Sequence, residues 1–356
     1  MLQARYRPNR RQNSFLCYNI ERNKKGSILI VALWALCFLT TFAVYLGIGV
    51  SQKISLIERL DARDRLRYLA EAGVKAAILE LETDKGLEEG CDTFNESWSD
   101  NPKIFKEIKV GEGNFTVSYI YFEGEEQKKR YGLKDEESKI NINKANKDTL
   151  KRLFHNVAGA EEDKAEEMAY CLIDWRDANS TLEHIRYGAE DDDYTSLSVP
   201  YEAKDADFEI LDELLLIKGM DRGVFSKIKD WVTIYGEGKV NINTASPAVL
   251  EALGIDNKLA NKIALYRKGE DLTDGTLDDN IFTNVTSAVA KLSQFYHLSP
   301  SEIENLSNSI TAENFTAESY NFTVISSAKL NKKNEELKIT AVINRQGEIR
   351  YWREEY

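Results

Sequence analysis

Carboxylates are the residues best placed to do chemistry in this sequence. Asp174, Asp177, Glu190, Asp191, Asp192 and Asp193 crowd into one stretch. A hard cation such as Ca²⁺ takes about six to eight oxygen ligands, and clustered carboxylates in a loop suit it. Asp174, Asp177, Glu190 and Asp193 are therefore the candidate metal ligands, with calcium as the candidate ion. Their spacing is not that of an EF-hand loop. A solvated acidic loop is the competing reading, because charge runs usually face water. A glycosidase-like carboxylate pair would need a sugar platform, and no aromatic one is evident. The four cysteines form no metal pattern. Cys91 and Cys171 can pair in an oxidising compartment, while Cys17 and Cys37 lie near the N-terminus. The three histidines, His155, His184 and His297, are scattered. His-Glu-x-x-His, Gly-x-Ser-x-Gly and P-loop patterns are all missing, so no enzyme is expected.

A second kind of chemistry is suggested by a repeat. The stretch 138-SKININKANKDTLKRLF-154 returns as 238-GKVNINTASPAVLEALG-254. Each Asn-Ile-Asn-x-Ala leads to an Asn or Ser ahead of a helix, where a side-chain oxygen can cap free N–H groups. Pro247 falls in the first turn, where a missing N–H costs nothing. A glycine turn and a second helix follow, which is a helix-hairpin-helix layout. DNA-binding hairpins of this type read Gly-hydrophobic-Gly, the second glycine letting backbone amides approach phosphate. Here the three candidates are Gly159-Ala160-Glu161, Gly219-Met220-Asp221 and Gly254-Ile255-Asp256. Each acid is expected to cap the next helix and to put a carboxylate where phosphate would dock. Lys258, Lys262, Arg267 and Lys268 would be the best residues for DNA.

Charge speaks against nucleic acid as well. The net charge is −12 over 356 residues. Residues 1–26 carry seven Lys/Arg against Glu21, which leaves the remainder at −18. So acidic a body repels phosphate unless a local basic face exists.

These residues must be positioned by a chain long enough for two domains, or for one domain carrying an insertion. Residues 27–50 contain no charge. At 1.5 Å per residue they span roughly 36 Å, enough for a bilayer core and too long for a signal-peptide core. Small residues at Gly47–Ser51 leave Sec-type cleavage there as an alternative. The basic start favours a cytoplasmic N-terminus, a bias weakened by Lys53, Arg59 and Arg63. No Pro interrupts the run to Gly86, and apolar residues from Ile54 to Leu81 recur at three- and four-residue steps. One helix of about 55 residues is expected, apolar all round and then amphipathic. Alternation predicts strands in 113–123, 320–330 and 336–356, with a hairpin turn near Gly124. Strands at both ends with helices between them predict an α+β fold: a long N-terminal transmembrane and amphipathic helix, a small antiparallel sheet, and an inserted all-α domain holding the repeats.

Lys24-Lys25-Gly26 running directly into the apolar helix resembles a type IV prepilin-like signal. The resemblance implies cleavage by a prepilin peptidase after Gly26, with Ser27 as the N-methylated mature first residue. Most pilins carry Glu at mature position five; here that residue is Val31. An intramembrane carboxylate is costly unless paired, so a subunit without one needs no subunit ahead of it, which suits a fibre tip. The missing Glu, "AEAG" at 70–73, "DWRD" at 174–177, "GAEDDDY" at 188–194 and "DELLLIKG" at 212–219 together resemble the type II secretion minor pseudopilin K family.

That resemblance implies a prepilin leader at 1–26 and an N-terminal helix at 27–86, transmembrane over 27–50. It implies a pilin-like sheet from 87–134 and 311–356, with an inserted helical domain at 135–310. It further implies a non-enzymatic tip subunit that initiates or caps a pseudopilus for export across the outer membrane. Its partners would be minor pseudopilins I and J and the peptidase. The anchor would be single-pass in the bacterial inner membrane with the C-terminal domain in the periplasm. Calcium binding is known among members of the family. The rival reading is a membrane-anchored DNA-binding or DNA-uptake protein.

Overall fold

The computed structural model describes residues 24–84, 90–123, 126–331 and 335–356. The leader up to residue 23, with Cys17, lies outside the described residues, as do Gly86 and Gly124. The chain divides into two compact units, Met1–Asp61 and Ala62–Tyr356. Helix α1, Lys24–Asp84, belongs to both.

Within the first unit, the large apolar side chains from Ile28 to Val50 are exposed. This part of α1 is long and apolar enough to cross a membrane. In the second unit the helix becomes one-sided. Leu66, Leu69, Ala70, Val74, Ala77 and Leu81 are buried, at the three- and four-residue steps that put them on one stripe.

That stripe packs on an antiparallel sheet. Its strands are β1 (Ile108–Val110), β2 (Gly113–Val117), β5 (Lys134–Asp135), β10 (Asn321–Leu330), β11 (Glu336–Asn344) and β12 (Ile349–Glu355). The order is β1-β2-β10-β11-β12, with β5 also on β10. Phe115 and Val117, Phe322, Val324 and Ala328, then Leu337, Ile339 and Ala341 share one core with the α1 stripe. The close approach depends on Gly73, where an added Cβ would stand 2.2 Å from Ser326 Oγ. Asp84, at the C-terminal end of α1, is ion-paired to Arg345 at 3.1 Å. That cation offsets a carboxylate at the wrong end of the helix dipole.

The strand expected over 113–123 is divided at Ser118. Beyond Val117 the place beside β10 is taken by β5, where Thr323 pairs Lys134 and Phe322 pairs Asp135. Displaced, β3 (Tyr119–Glu123) forms a separate hairpin with β4 (Glu126–Arg130). A four-residue helix, α2 (Pro102–Phe105), precedes β1 and buries Phe105.

Residues between β5 and β10 hold a second core. Its helices are α3 (Lys147–Asn156), α4 (Glu162–Arg176), α5 (Asp191–Thr195), α6 (Arg222–Ile228), α7 (Pro247–Ala252), α8 (Asn257–Arg267), α9 (Ala288–Phe295) and α10 (Pro300–Thr311). This part is not purely helical. The Asn-Ile-Asn segments open as two-residue strands, β6 (Ile140–Asn141) and β8 (Val240–Asn241). These pair in parallel with β7 (Val232–Thr233) and β9 (Phe315–Thr316). The pairing satisfies backbone groups that the buried Ile140, Ile142, Val240 and Ile242 would otherwise leave without water.

Candidate metal centre and the paired helical repeats

The Asn-Ile-Asn segments do not themselves cap helices. Asn141 and Asn241 each accept from the amide two residues on, at 2.9 Å in both copies. Asn143 Oδ1 accepts from the Phe208 amide at 2.8 Å, and its Nδ2 donates to the Phe208 carbonyl at 3.0 Å. Asn243 does the same with Phe282, at 2.8 and 3.0 Å. The caps expected ahead of the helices are present one step later. Asn146 accepts from Thr149 N at 2.9 Å, and Ser246 from Val249 N at 3.2 Å.

The duplication continues past the region of sequence identity. At the end of α4, Arg176 donates to the carbonyls of Ile142 and Ala145. At the end of α8, Arg267 donates to those of Ile242 and Ala245 at 2.8 and 2.7 Å. An aromatic-Arg pair (Trp175-Arg176, Tyr266-Arg267) and an Asp-x-x-Phe (Asp205–Phe208, Asp279–Phe282) were the signals that could have revealed this.

The glycine turns have positive φ: +70° at Gly159, +85° at Gly219 and +95° at Gly254. Asp221 caps α6 through Val224 N at 2.8 Å, and Asp256 caps α8 through Lys258 N at 2.9 Å. Glu161 differs from expectation. It occupies the cap position of α4 without a side-chain cap bond, consistent with a side chain one methylene too long for the short-residue cap geometry. Three of the four cations suited to DNA are engaged within the fold. Lys262 is 2.6 Å from Glu302, Arg267 is buried in its clamp, and Lys268 is 3.7 Å from Asp274.

The acidic stretch is drawn together by the end of α4 and the start of α5. Asp174 is fully buried and accepts from Glu183 N at 3.0 Å and Ala189 N at 2.9 Å. Asp193 turns away to Lys218 at 2.9 Å. Those two predicted ligands thus already have donors. Asp177 and Glu190 differ: Asp177 Oδ2 and both Glu190 carboxylate oxygens are buried without a hydrogen-bond partner. Asp205 Oδ1, which the sequence reading did not include, is buried and unpartnered too. Asp205 sits at φ +51°, a left-handed conformation Asp tolerates better than most residues. Burial, then the charges of Asp174, Asp177, Asp205 and Asp191, push the Glu190 carboxyl up to about 7. Buried oxygens without donors, carrying like charge, are what a hard cation would satisfy. Their oxygens are of the hard type that such an ion takes, and Glu190 feels the charges of Asp177 and Asp205.

The second repeat resolves the same problem differently. Lys268 follows its clamp arginine where Asp177 follows Arg176, and it supplies a cation to Asp274 from within the chain. Another acidic group, Asp84, Asp92 and Glu96, brings three carboxylate oxygens within 4.8 Å of one another. The Arg345 guanidinium contacts Asp84 and Asp92 there, so the cation of that cluster is a side chain.

Gly26, Ser27 and Val31 all lie on α1, where Val31 is exposed. No disulfide joins Cys91 to Cys171. Cys171 is buried in α4 and donates to the Tyr187 carbonyl at 3.1 Å, and burial pushes its thiol up to about 12.

An apolar N-terminal helix continuing onto an antiparallel sheet, with a twice-repeated helical insertion, defines the class. A family model for the first domain of type II secretion system protein K matches residues 129–237. Type II secretion system protein K of Pectobacterium carotovorum is 23% identical over 232 residues, covering 63% of this chain and 67% of that one. The protein of the same name from Pseudomonas aeruginosa is 25% identical over 250 residues, covering 66% and 69%. The fold is shared with a chain in the crystal structure of the GspK-GspI-GspJ complex from enterotoxigenic Escherichia coli. That match has a TM-score of 0.60 at 17% identity and covers 86% of this chain and 99% of that one. The chain is thus similar to type II secretion system protein K over residues 129–237, in these relatives and in its fold.

Proposed function

We propose that the protein is the tip subunit of a type II secretion pseudopilus, initiating or capping the fibre. The carrying observation is Val31, within an uncharged helix that begins directly after Lys24-Lys25-Gly26. Cleavage after Gly26 makes Ser27 the methylated first residue and Val31 the fifth. No buried carboxylate then requires a subunit ahead. Residues 27–50 anchor the chain in the inner membrane before assembly, and the remainder extends into the periplasm. The helical insertion supplies bulk that opposes addition of another subunit. Minor pseudopilins of the I and J types are its partners, by analogy with the GspK-GspI-GspJ complex.

The helix-hairpin-helix-like pairs act as a scaffold in this reading. Their cap acids and committed cations leave little for phosphate. Asp177, Glu190 and Asp205 hold a calcium ion, with Asp174 as the ordered base of the site. Its role is structural: it neutralises buried carboxylates and fixes the loop from Asp177 to Asp205.

The test is to co-express the full chain with a cognate prepilin peptidase and determine the mature N-terminus by mass spectrometry. Methylated Ser27 is expected. An intact Gly26–Ser27 bond, or cleavage near Gly49, would sink the proposal.

A further inference from the structure

A cavity of about 500 Å³ lies among the β3–β4 hairpin, α6 and α8, away from the acidic loop. Its lining is basic although the mature body is strongly acidic: six cations face three carboxylates. Two of the cations have internal carboxylate partners, Lys139 with Glu136 and Lys268 with Asp274. Four donate to neutral carbonyls instead, Lys134 the most weakly, to that of Asp230 at 3.3 Å. Arg130 donates to the Asp274 carbonyl at 3.0 Å, Lys227 to that of Ala158 at 2.7 Å, and Arg267 to those of Ile242 and Ala245. Arg267 is buried, and its Nε has no partner. The remaining wall mixes apolar and aromatic side chains with neutral polar ones such as Ser226, Thr244 and Asn261. Arg130 lies between the rings of Phe94 and Tyr121, at 4.2 and 4.5 Å, and Trp231 and Leu265 also face the space.

We propose that this cavity binds a carboxylate carried on an apolar body. The guanidiniums and ammoniums lack anionic partners in number, and the aromatic wall suits a hydrophobic stem. Asp135, Asp230 and Asp274 on the same lining disfavour a multiply charged phosphate. Lys134 is the cation readiest to respond. Its ammonium is 3.9 Å from Asp230 Oδ1, longer than a close ion pair. Burial and the neighbouring Lys139 lower it to about 8, against the opposing pull of Asp230 and Glu136. A bound carboxylate would restore its charge and take up a proton near that pH. The carboxylate has two possible sources, a free small acid or the C-terminus of a peptide from a partner. The proposal stands independently of the tip reading.

The experiment is isothermal titration of the full chain in detergent. The probes are phenylacetate, phenethylamine, and N-acetyl-Gly-Phe with a free or an amidated C-terminus. Saturable binding of the acids and none of the amine or amide is expected. K134M should weaken binding roughly tenfold, the effect of losing one charged hydrogen bond. L265W, at a half-exposed position, should block the cavity without unfolding the chain. A tighter fit for the peptide acid assigns the site to a partner's segment; a tighter fit for phenylacetate assigns it to a free acid. Binding of neither acid, equal binding of the amine, or wild-type binding by both variants overturns the proposal.

Discussion

Arg176 and Arg267 perform the same task a repeat apart. Each closes the end of a second helix onto the Ile and Ala carbonyls of its own Asn-Ile-Asn-x-Ala segment. The residues that follow them, Asp177 and Lys268, have opposite charge. Two halves with one framework thus face opposite electrostatic demands.

The proposed calcium site lies in one half only, so its removal should affect that half. A chelator is expected to lower the melting temperature of the full chain, and excess Ca²⁺ to restore it by mass action. D177K, which copies Lys268, should raise the chelator-treated melting temperature and abolish the calcium response. An unchanged response in D177K would remove Asp177 from the site.

The two Asn-Phe pairs should differ in weight. Asn243 is buried, whereas Asn143 is half-buried. N243A strands the Phe282 N–H and C=O without water, at about 1–3 kcal/mol for each unsatisfied group. N143A breaks the two Phe208 bonds where they are only part-buried, so its loss should be smaller. Denaturant unfolding of the two variants makes the comparison.

Arg345 is expected to be among the costliest single residues in the sheet core. It serves Asp84, Asp92 and the Ser319 carbonyl. R345M leaves two buried acids uncompensated, about 3–5 kcal/mol for a pair broken on one side. A loss under 1 kcal/mol in chemical denaturation would contradict this.

Stability should fall as pH rises out of the carboxylate range. Burial, then the charge of Asp135, raises Glu137, and burial raises Asp135. For a raised acid, the folded state holds a proton that the unfolded state has released. The contribution is full below the ordinary pKa of 4.5 and is lost as pH rises through the folded value of about 8. E137Q should flatten this slope between pH 5 and about 8. The substitution is tolerable because the amide of Asn321, now 2.8 Å from Glu137 Oε1, can flip.

Low-salt mobility-shift assays should show no tight DNA binding by the full chain. Tight binding would overturn the assignment of Lys262, Arg267 and Lys268 to internal partners.

Much of the fold was legible because periodicity records burial. The α1 stripe from Leu66 to Leu81, and the strands at both ends, follow directly from it. The bend at Ser118 was not legible, because it depends on β5 competing for β10, a long-range event that no local pattern records. Asp205 escaped notice for a related reason. It lies far from Asp177 in sequence and reaches the same pocket of charge only through the loop's path, where its amide bonds the Trp175 carbonyl at 3.1 Å. Charge alone does not make a cap at Glu161, because side-chain length also sets the geometry.

The junction between α1 and the sheet has a mechanical consequence. Gly73 brings the helix backbone against Ser326, and Arg345 fastens its last residue, Asp84, to the turn after β11. An axial pull on the helix therefore cannot be relieved by sliding, because displacement by one turn would drive Leu69 or Ala77 into a space that only glycine fits. Force applied along α1 would be delivered as shear across the sheet, which resists through the full length of the β10–β11 ladder, Asn321 to Lys329 against Glu336 to Asn344. From Ala62 onward the helix and the sheet would thus move as one lever.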